Sequence, residues 1–197
     1  MSQVFSLGQR SIIMRIFYIR HAPTAANVTG DIVKDYDSQD IIDFDADDWK
    51  RRIGCHLPKS FKLFVSPAKR CEQTAKKLFP EKDYTIVPDL TEFDVSELAE
   101  SGLKFWEIDE ETFKSKVHLC KSDVCTRWIN ALIDITKDCP DDVVIIGHGF
   151  YGRLVRELYE ETGDHIFDIL NSKNFQFKNL DMMKIETCKV KNVWRYK

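Results

Sequence analysis

Two short apolar runs, each stopping at a histidine, constrain this chain more than any other feature. Asp142-Val-Val-Ile-Ile146 is followed by Gly147-His148-Gly149, and Arg15-Ile-Phe-Tyr-Ile19 by Arg20-His21. A continuous β-branched run of this length is the pattern of a strand buried on both faces, as in a parallel sheet covered by helices. Phe61-Lys-Leu-Phe-Val65, Tyr84 to Val87, Phe175 to Phe177 and Met182 to Ile185 read as further strands. Helices are expected between them. One should start with Ser66 as N-cap and Pro67 at the first helical position, and run to about Phe79, where Pro80 stops it. A long one should occupy about 110–137, with Trp128, Ile129, Leu132 and Ile135 at helical spacing, and another should follow from about Tyr151 to Glu161. Residues 93–113 read as a partly helical excursion. The alternation predicts a layered α/β fold with a largely parallel central sheet.

With 197 residues the chain can bury one sizeable core. We expect a single domain over residues 11–197, with residues 1–10 as a loose extension. The net charge of −3 gives no broad electrostatic footprint for nucleic acid or an anionic membrane, so any phosphate recognition must come from a few placed cations. Six cysteines, at 55, 71, 120, 125, 139 and 188, lack the paired spacing of a zinc site and read as reduced thiols of an intracellular protein. None precedes an arginine at the spacing used by cysteine-based phosphatases. Arg10, Arg15 and Arg20 interrupt the apolar stretch near the N-terminus, so no secretory segment is expected and a cytoplasmic location is.

Ligands of open α/β sheets bind at the carboxyl ends of strands. Both well-defined strand ends here carry a histidine. An isolated histidine at such a place is usually a surface or capping residue, but two at equivalent ends ask for a common explanation. Arg20 adjoins His21, and Ala22-Pro-Thr24-Ala-Ala-Asn27 follows as a loop able to curl around an anion. Arg70, early on the helix after Phe61–Val65, can reach the same crevice, and two guanidinium forks suit the oxygens of a phosphoryl group. Glu92, one acid among many, follows Val87-Pro-Asp-Leu-Thr91.

These stretches together resemble the histidine phosphatase (phosphoglycerate mutase-like) superfamily. Phe17-Tyr-Ile-Arg20-His21 through Asn27 is similar to its Arg-His-Gly motif, and Ser66-Pro-Ala-Lys-Arg70-Cys-Glu-Gln-Thr74 to its Ser-Pro-x-x-Arg-x-x-x-Thr helix. Leu90-Thr-Glu92 resembles the stretch bearing its catalytic acid, and Val144-Ile-Ile-Gly147-His148-Gly149 its second-histidine strand. The resemblance implies a three-layer α/β/α sandwich and phosphoryl transfer without a cofactor or metal. It casts His21 as the nucleophile that becomes phosphohistidine. Arg20, Arg70 and His148 would grip the phosphoryl oxygens, and Glu92 would protonate the leaving oxygen and then activate water. Asn27, Thr24 and Gly149 would complete the substrate contacts.

The chain departs from the family pattern in three places. Ala22 replaces the usual glycine, residues 30–54 do not resemble the usual segment, and the stretch Val95 to Gly102 blurs the usual Gly-x-Trp-Glu-Gly. The expected function is a metal-independent phosphomonoesterase acting on a small phosphorylated metabolite. A phosphoglycerate mutase and a non-catalytic phosphate-binding module on the same fold are the alternatives. Residues 31–48 hold eight aspartates against one lysine, Lys34, either as a solvated loop or as a rim that repels polyanions. Phe93, Phe105, Trp106 and Phe113 either fill core or form a lid over an apolar or ring-bearing leaving group. His56, His118 and His165 match no motif and are given no role.

Overall fold

The computed structural model describes residues 15–92, 94–117, 121–137, 139, 141–151, 177–186 and 189–195. Strands β1 (Arg15–Arg20), β2 (Lys62–Val65), β3 (Tyr84–Ile86), β4 (Val143–Gly147), β5 (Met182–Glu186) and β6 (Lys189–Trp194) form one sheet in the order β3-β2-β4-β1-β5-β6. The pairings β3–β2, β2–β4 and β4–β1 are parallel, and β1–β5 and β5–β6 are antiparallel. The sheet is thus mostly parallel, with an antiparallel margin. β4 lies inside it and all five of its residues are buried, which is why that run is apolar without a break.

Strand alternation sorts the apolar side chains onto two faces. Phe17, Ile19, Leu63, Val65, Val144 and Ile146 face one side. There they meet Trp49 of α2 (Ala46–Arg52) and Cys71, Ala75 and Leu78 of α3 (Lys69–Leu78). Tyr18, Val143 and Ile145 face the other side and meet Trp128, Ala131 and Ile135 of a helix over Lys121–Thr136. Helices therefore cover both faces of the sheet, giving the three layers expected.

The elements differ from expectation in instructive ways. The segment expected as one helix over 110–137 is two, Glu110–Lys116 and Lys121–Thr136, numbered α4 and α5; α1 is the short Ala25–Thr29. Residues 93–113 hold two 3₁₀ turns, Ser96–Ser101 and Phe105–Glu107. α3 starts at Lys69, with Ala68 as N-cap, two residues later than the Ser66-Pro67 signal suggests. The Ser66 hydroxyl accepts from the Ala68 N–H at 3.5 Å and also faces a distant partner, described below. Residues 1–10, Phe93, most of the helix expected over 151–161, Phe175, His118 and His165 lie outside the described residues. Among those described, no helix is long and apolar enough to cross a membrane.

Candidate active site

Parallel pairing of β1 and β4 sets Arg20 opposite Gly147. The next residue on each strand is a histidine, so the register alone brings His21 and His148 together. The His21 N–H donates to Gly147 O at 2.9 Å, and the two ring centroids lie 5.5 Å apart. Both imidazoles are buried. The glycines flanking His148 make room for neighbours: a Cβ at Gly147 would lie 2.2 Å from Tyr18 Oη, and one at Gly149 2.8 Å from Arg20 Nε. Tyr18 Oη uses that space to accept from the His148 N–H at 2.7 Å and donate to His148 O at 3.0 Å.

Arg70, on the first turn of α3, joins the groups. Its side chain is wholly buried. Nε donates to His21 Nε2 at 3.3 Å, and one terminal nitrogen lies 2.9 Å from His148 Nδ1 and 3.2 Å from Glu92 Oε2. The other donates to Tyr36 O and, at 3.3 Å, to Asp37. A guanidinium so deep would cost several kcal/mol unpaired, and this set of acceptors offsets that cost. His21 Nδ1 faces Ala22 O at 2.6 Å, which places the proton on Nδ1 and the lone pair on Nε2. On His148 the order reverses: Nδ1 accepts from Arg70, so Nε2 carries the proton toward Ser66 Oγ, 2.8 Å away.

The protonation balance follows from burial. It lowers His21 well below the ordinary imidazole value, and the Arg70 and Arg20 charges push the same way. His148 is lowered by burial, then by Arg70, and stays neutral too. Burial raises the Glu92 carboxyl, against the pull of Arg70 and Arg20. Cys71 Sγ lies 3.8 Å from His148 Nε2, but burial pushes its thiol up to about 12, too high for a thiolate nucleophile.

Arg20 donates through one terminal nitrogen to Phe177 O at 2.6 Å, while its buried Nε has no partner among the described residues. An unpartnered buried donor on a cation is an anion-binding feature. Arg20, Asn27, Tyr36, Glu92, Gly149 and Phe150 line one end of a cavity of about 200 Å³, and Gly30, Asp31, Ile32, Val95, Phe105 and Trp106 line the rest. His21, Arg70 and His148 lie deeper, and the Tyr36 ring is stacked 4.2 Å from Arg70 Cζ.

Of the residues expected from sequence, His21, Arg20, Arg70, His148 and Glu92 converge, with Asn27 and Gly149 beside them. Thr24 does not join them. It is buried, and its hydroxyl accepts from the Asn27 N–H to cap α1, so it shapes the loop. Asn27 is held in turn by Tyr36 Oη and by Asn179 Nδ2, which also donates to His21 O. Seven of the eight aspartates of 31–48 are exposed, as in a solvated segment, and most of them are paired or capping rather than forming a rim. Asp31 pairs with Lys104, Asp37 with Arg70, Asp40 with Lys69 and Asp43 with Lys77, while Asp45 caps α2. Asp31 alone of the eight reaches the cavity.

Tyr18 and Asn179 are supporting residues not expected from sequence, and Ser66 and Thr74, expected only as positions of the Arg70 motif, also support the site. Thr74 had a visible signal, lying one helical turn beyond Arg70: its hydroxyl accepts from the Ala22 N–H at 2.9 Å and donates to Arg70 O. Asn179 had none.

This pairing of two neutral histidines, two arginines and an acid at parallel strand ends is the arrangement of a phosphoryl-transfer site. The chain belongs to the histidine phosphatase superfamily (branch 1), whose model matches residues 16–187. It is thus an enzyme of a family whose solved relatives include phosphatases and a mutase. A phosphoserine phosphatase from Entamoeba histolytica, solved with 3-phosphoglyceric acid, is 15% identical over 94% of this chain and 98% of its own, with a TM-score of 0.68. A phosphoglycerate mutase from Thermus thermophilus is 14% identical over 93% and 100%, with a TM-score of 0.64. A protein assigned as an alpha-ribazole-5'-P phosphatase from Escherichia coli is 14% identical over 93% and 97%, with a TM-score of 0.62. At these identities the likeness is one of fold. No curated protein sequence matches the chain.

Proposed function

We propose that the protein is a cytoplasmic, metal-independent hydrolase of small phosphomonoesters that works through a phosphohistidine on His21. The observation that carries this reading is the His21 tautomer. Ala22 O holds Nδ1–H, and burial beside two arginines keeps the ring neutral, so the Nε2 lone pair, engaged only by the long 3.3 Å contact from Arg70 Nε, serves as the nucleophile.

In the first half-reaction Nε2 forms a bond to phosphorus as the ester P–O bond breaks. The protonated Glu92 gives its proton to the departing oxygen. Arg20 Nε and the Arg70 fork meet the charge on the equatorial oxygens, the main demand of phosphoryl transfer. In the second, the Glu92 carboxylate takes a proton from water as its oxygen bonds to phosphorus and the P–N bond breaks. Neutral His21 and inorganic phosphate result.

The test is phosphate release from an alkyl phosphate after exhaustive chelation, with vanadate as inhibitor. Continued release with competitive inhibition supports the reading. Loss of activity that magnesium or zinc restores contradicts metal independence. Conversion of 3-phosphoglycerate to its 2-isomer without net phosphate release would make the enzyme a mutase.

A further inference from the structure

The cavity changes character away from the phosphoryl end. Ile32, Val95, Phe105 and Trp106 supply apolar and aromatic walls there. Phe105 and Trp106 do not fill core: they are 38% and 66% exposed, whereas Phe113, expected in the same group, is 2% exposed. Trp106 rests against Gly30, where a Cβ would come within 1.9 Å of the indole. The Phe105 N–H donates to Gly30 O at 2.8 Å, and Asp31 pairs with Lys104. The indole is thus fixed by its backbone and open to contact at the cavity.

The charges nearby point the same way. Asp31 puts a carboxylate on this wall. Lys104 is engaged with Asp31, and Lys34 with Glu100 at 3.0 Å. A second phosphate or carboxylate on the substrate would meet Asp31 and displace one of these pairs. A neutral ring would meet aromatic faces instead.

Resting on the phosphatase reading above, we propose that the enzyme selects phosphomonoesters whose leaving group is a ring-bearing alcohol or phenol with no second anionic group. Trp106 and Phe105 form the ring subsite, and Asp31 excludes phosphorylated sugar acids.

Benzyl phosphate, glycerol 1-phosphate and 3-phosphoglycerate all release alkyl alcohols, so comparing their kcat/KM separates binding from leaving-group chemistry. Benzyl phosphate should exceed 3-phosphoglycerate by roughly tenfold or more, the scale of one aromatic contact plus burial. Trp106→Ala should raise the KM for benzyl phosphate and bring its kcat/KM toward that of glycerol 1-phosphate. Asp31→Asn should raise kcat/KM for 3-phosphoglycerate above wild type. Equal or better turnover of 3-phosphoglycerate by the wild-type enzyme, or a benzyl preference unchanged in Trp106→Ala, would overturn the substrate class and leave the hydrolase standing. Phosphate release from none of the three would overturn the hydrolase, and this proposal with it.

Discussion

At the phosphoryl end of the cavity the groups hang from strand and helix termini; at the outer end they hang from two loops. His21 and His148 are fixed by the β1–β4 register and Arg70 by the first turn of α3. The outer end exists only because the loop at Gly30 meets the loop at Phe105, with Asp31 and Lys104 paired across 73 residues of sequence. The inner groups are buried and share hydrogen bonds, whereas Trp106 has mostly solvent around it. Chemistry that needs fixed charge sits on the rigid part, and selectivity sits where loops can change without disturbing the sheet.

If the two ends are separable in this way, disturbing the inner one should cost far more. Arg70→Ala should lower kcat/KM by about 10²–10³-fold, since it removes the hub of the phosphoryl contacts. The loss should fall on alkyl and aryl phosphates to within a few-fold of each other, because the phosphoryl group is common to both, and the remaining difference should vanish in a Glu92→Gln background, since Arg70 also contacts Glu92. A larger inequality that persists in that background would mean that Arg70 senses the leaving group directly.

Glu92→Gln should act selectively. Without its proton, alkyl phosphates should slow at least about tenfold more than aryl phosphates, which depart readily as anions. The pH profile sharpens this. His21 must be neutral, and its lowered pKa keeps it so well below 6.5, which moves the acid limb down. Glu92 must be protonated, and its raised pKa carries the alkaline limb above 4.5. The kcat/KM optimum should therefore lie on the acid side of neutrality, and Glu92→Gln should flatten its alkaline limb. A limb that persists in the variant would assign the acid to another group.

The smallest effect should come from the loop end. Gly30 sits at φ +73, where an alanine costs about 1–2 kcal/mol, and the new Cβ would push Trp106 away. Gly30→Ala should lower the melting temperature by a few degrees and reduce turnover of ring substrates only several-fold. A loss as large as that of Arg70→Ala would show that the two ends are not independent.

The division also explains what can be read from sequence. The histidines are legible because each follows an unbroken apolar run, and local pattern is enough to place a strand end. Ser66 reads as a cap because Ser-Pro is a strong local helix-start signal, while its actual partner, His148, lies 82 residues away. The turn over 177–181 gives no hint at all. Its Phe177 and Asp181 carbonyls accept from the Arg20 side chain and the Arg20 N–H, and backbone acceptors leave no mark in sequence. The charge run over 31–48 reads as solvated and is largely exposed, but its ion pairs are not legible, because the cations come from α3 and Lys104 as well as from α2.

Everything at the inner end depends on His21 carrying the phosphoryl group. Quenching the enzyme during turnover of a radiolabelled phosphomonoester and mapping the labelled peptide puts this to the test. Acid-labile, alkali-stable label should appear on the peptide containing His21 and none on the His21→Ala protein. Label on another residue, or label that survives in His21→Ala, would contradict it.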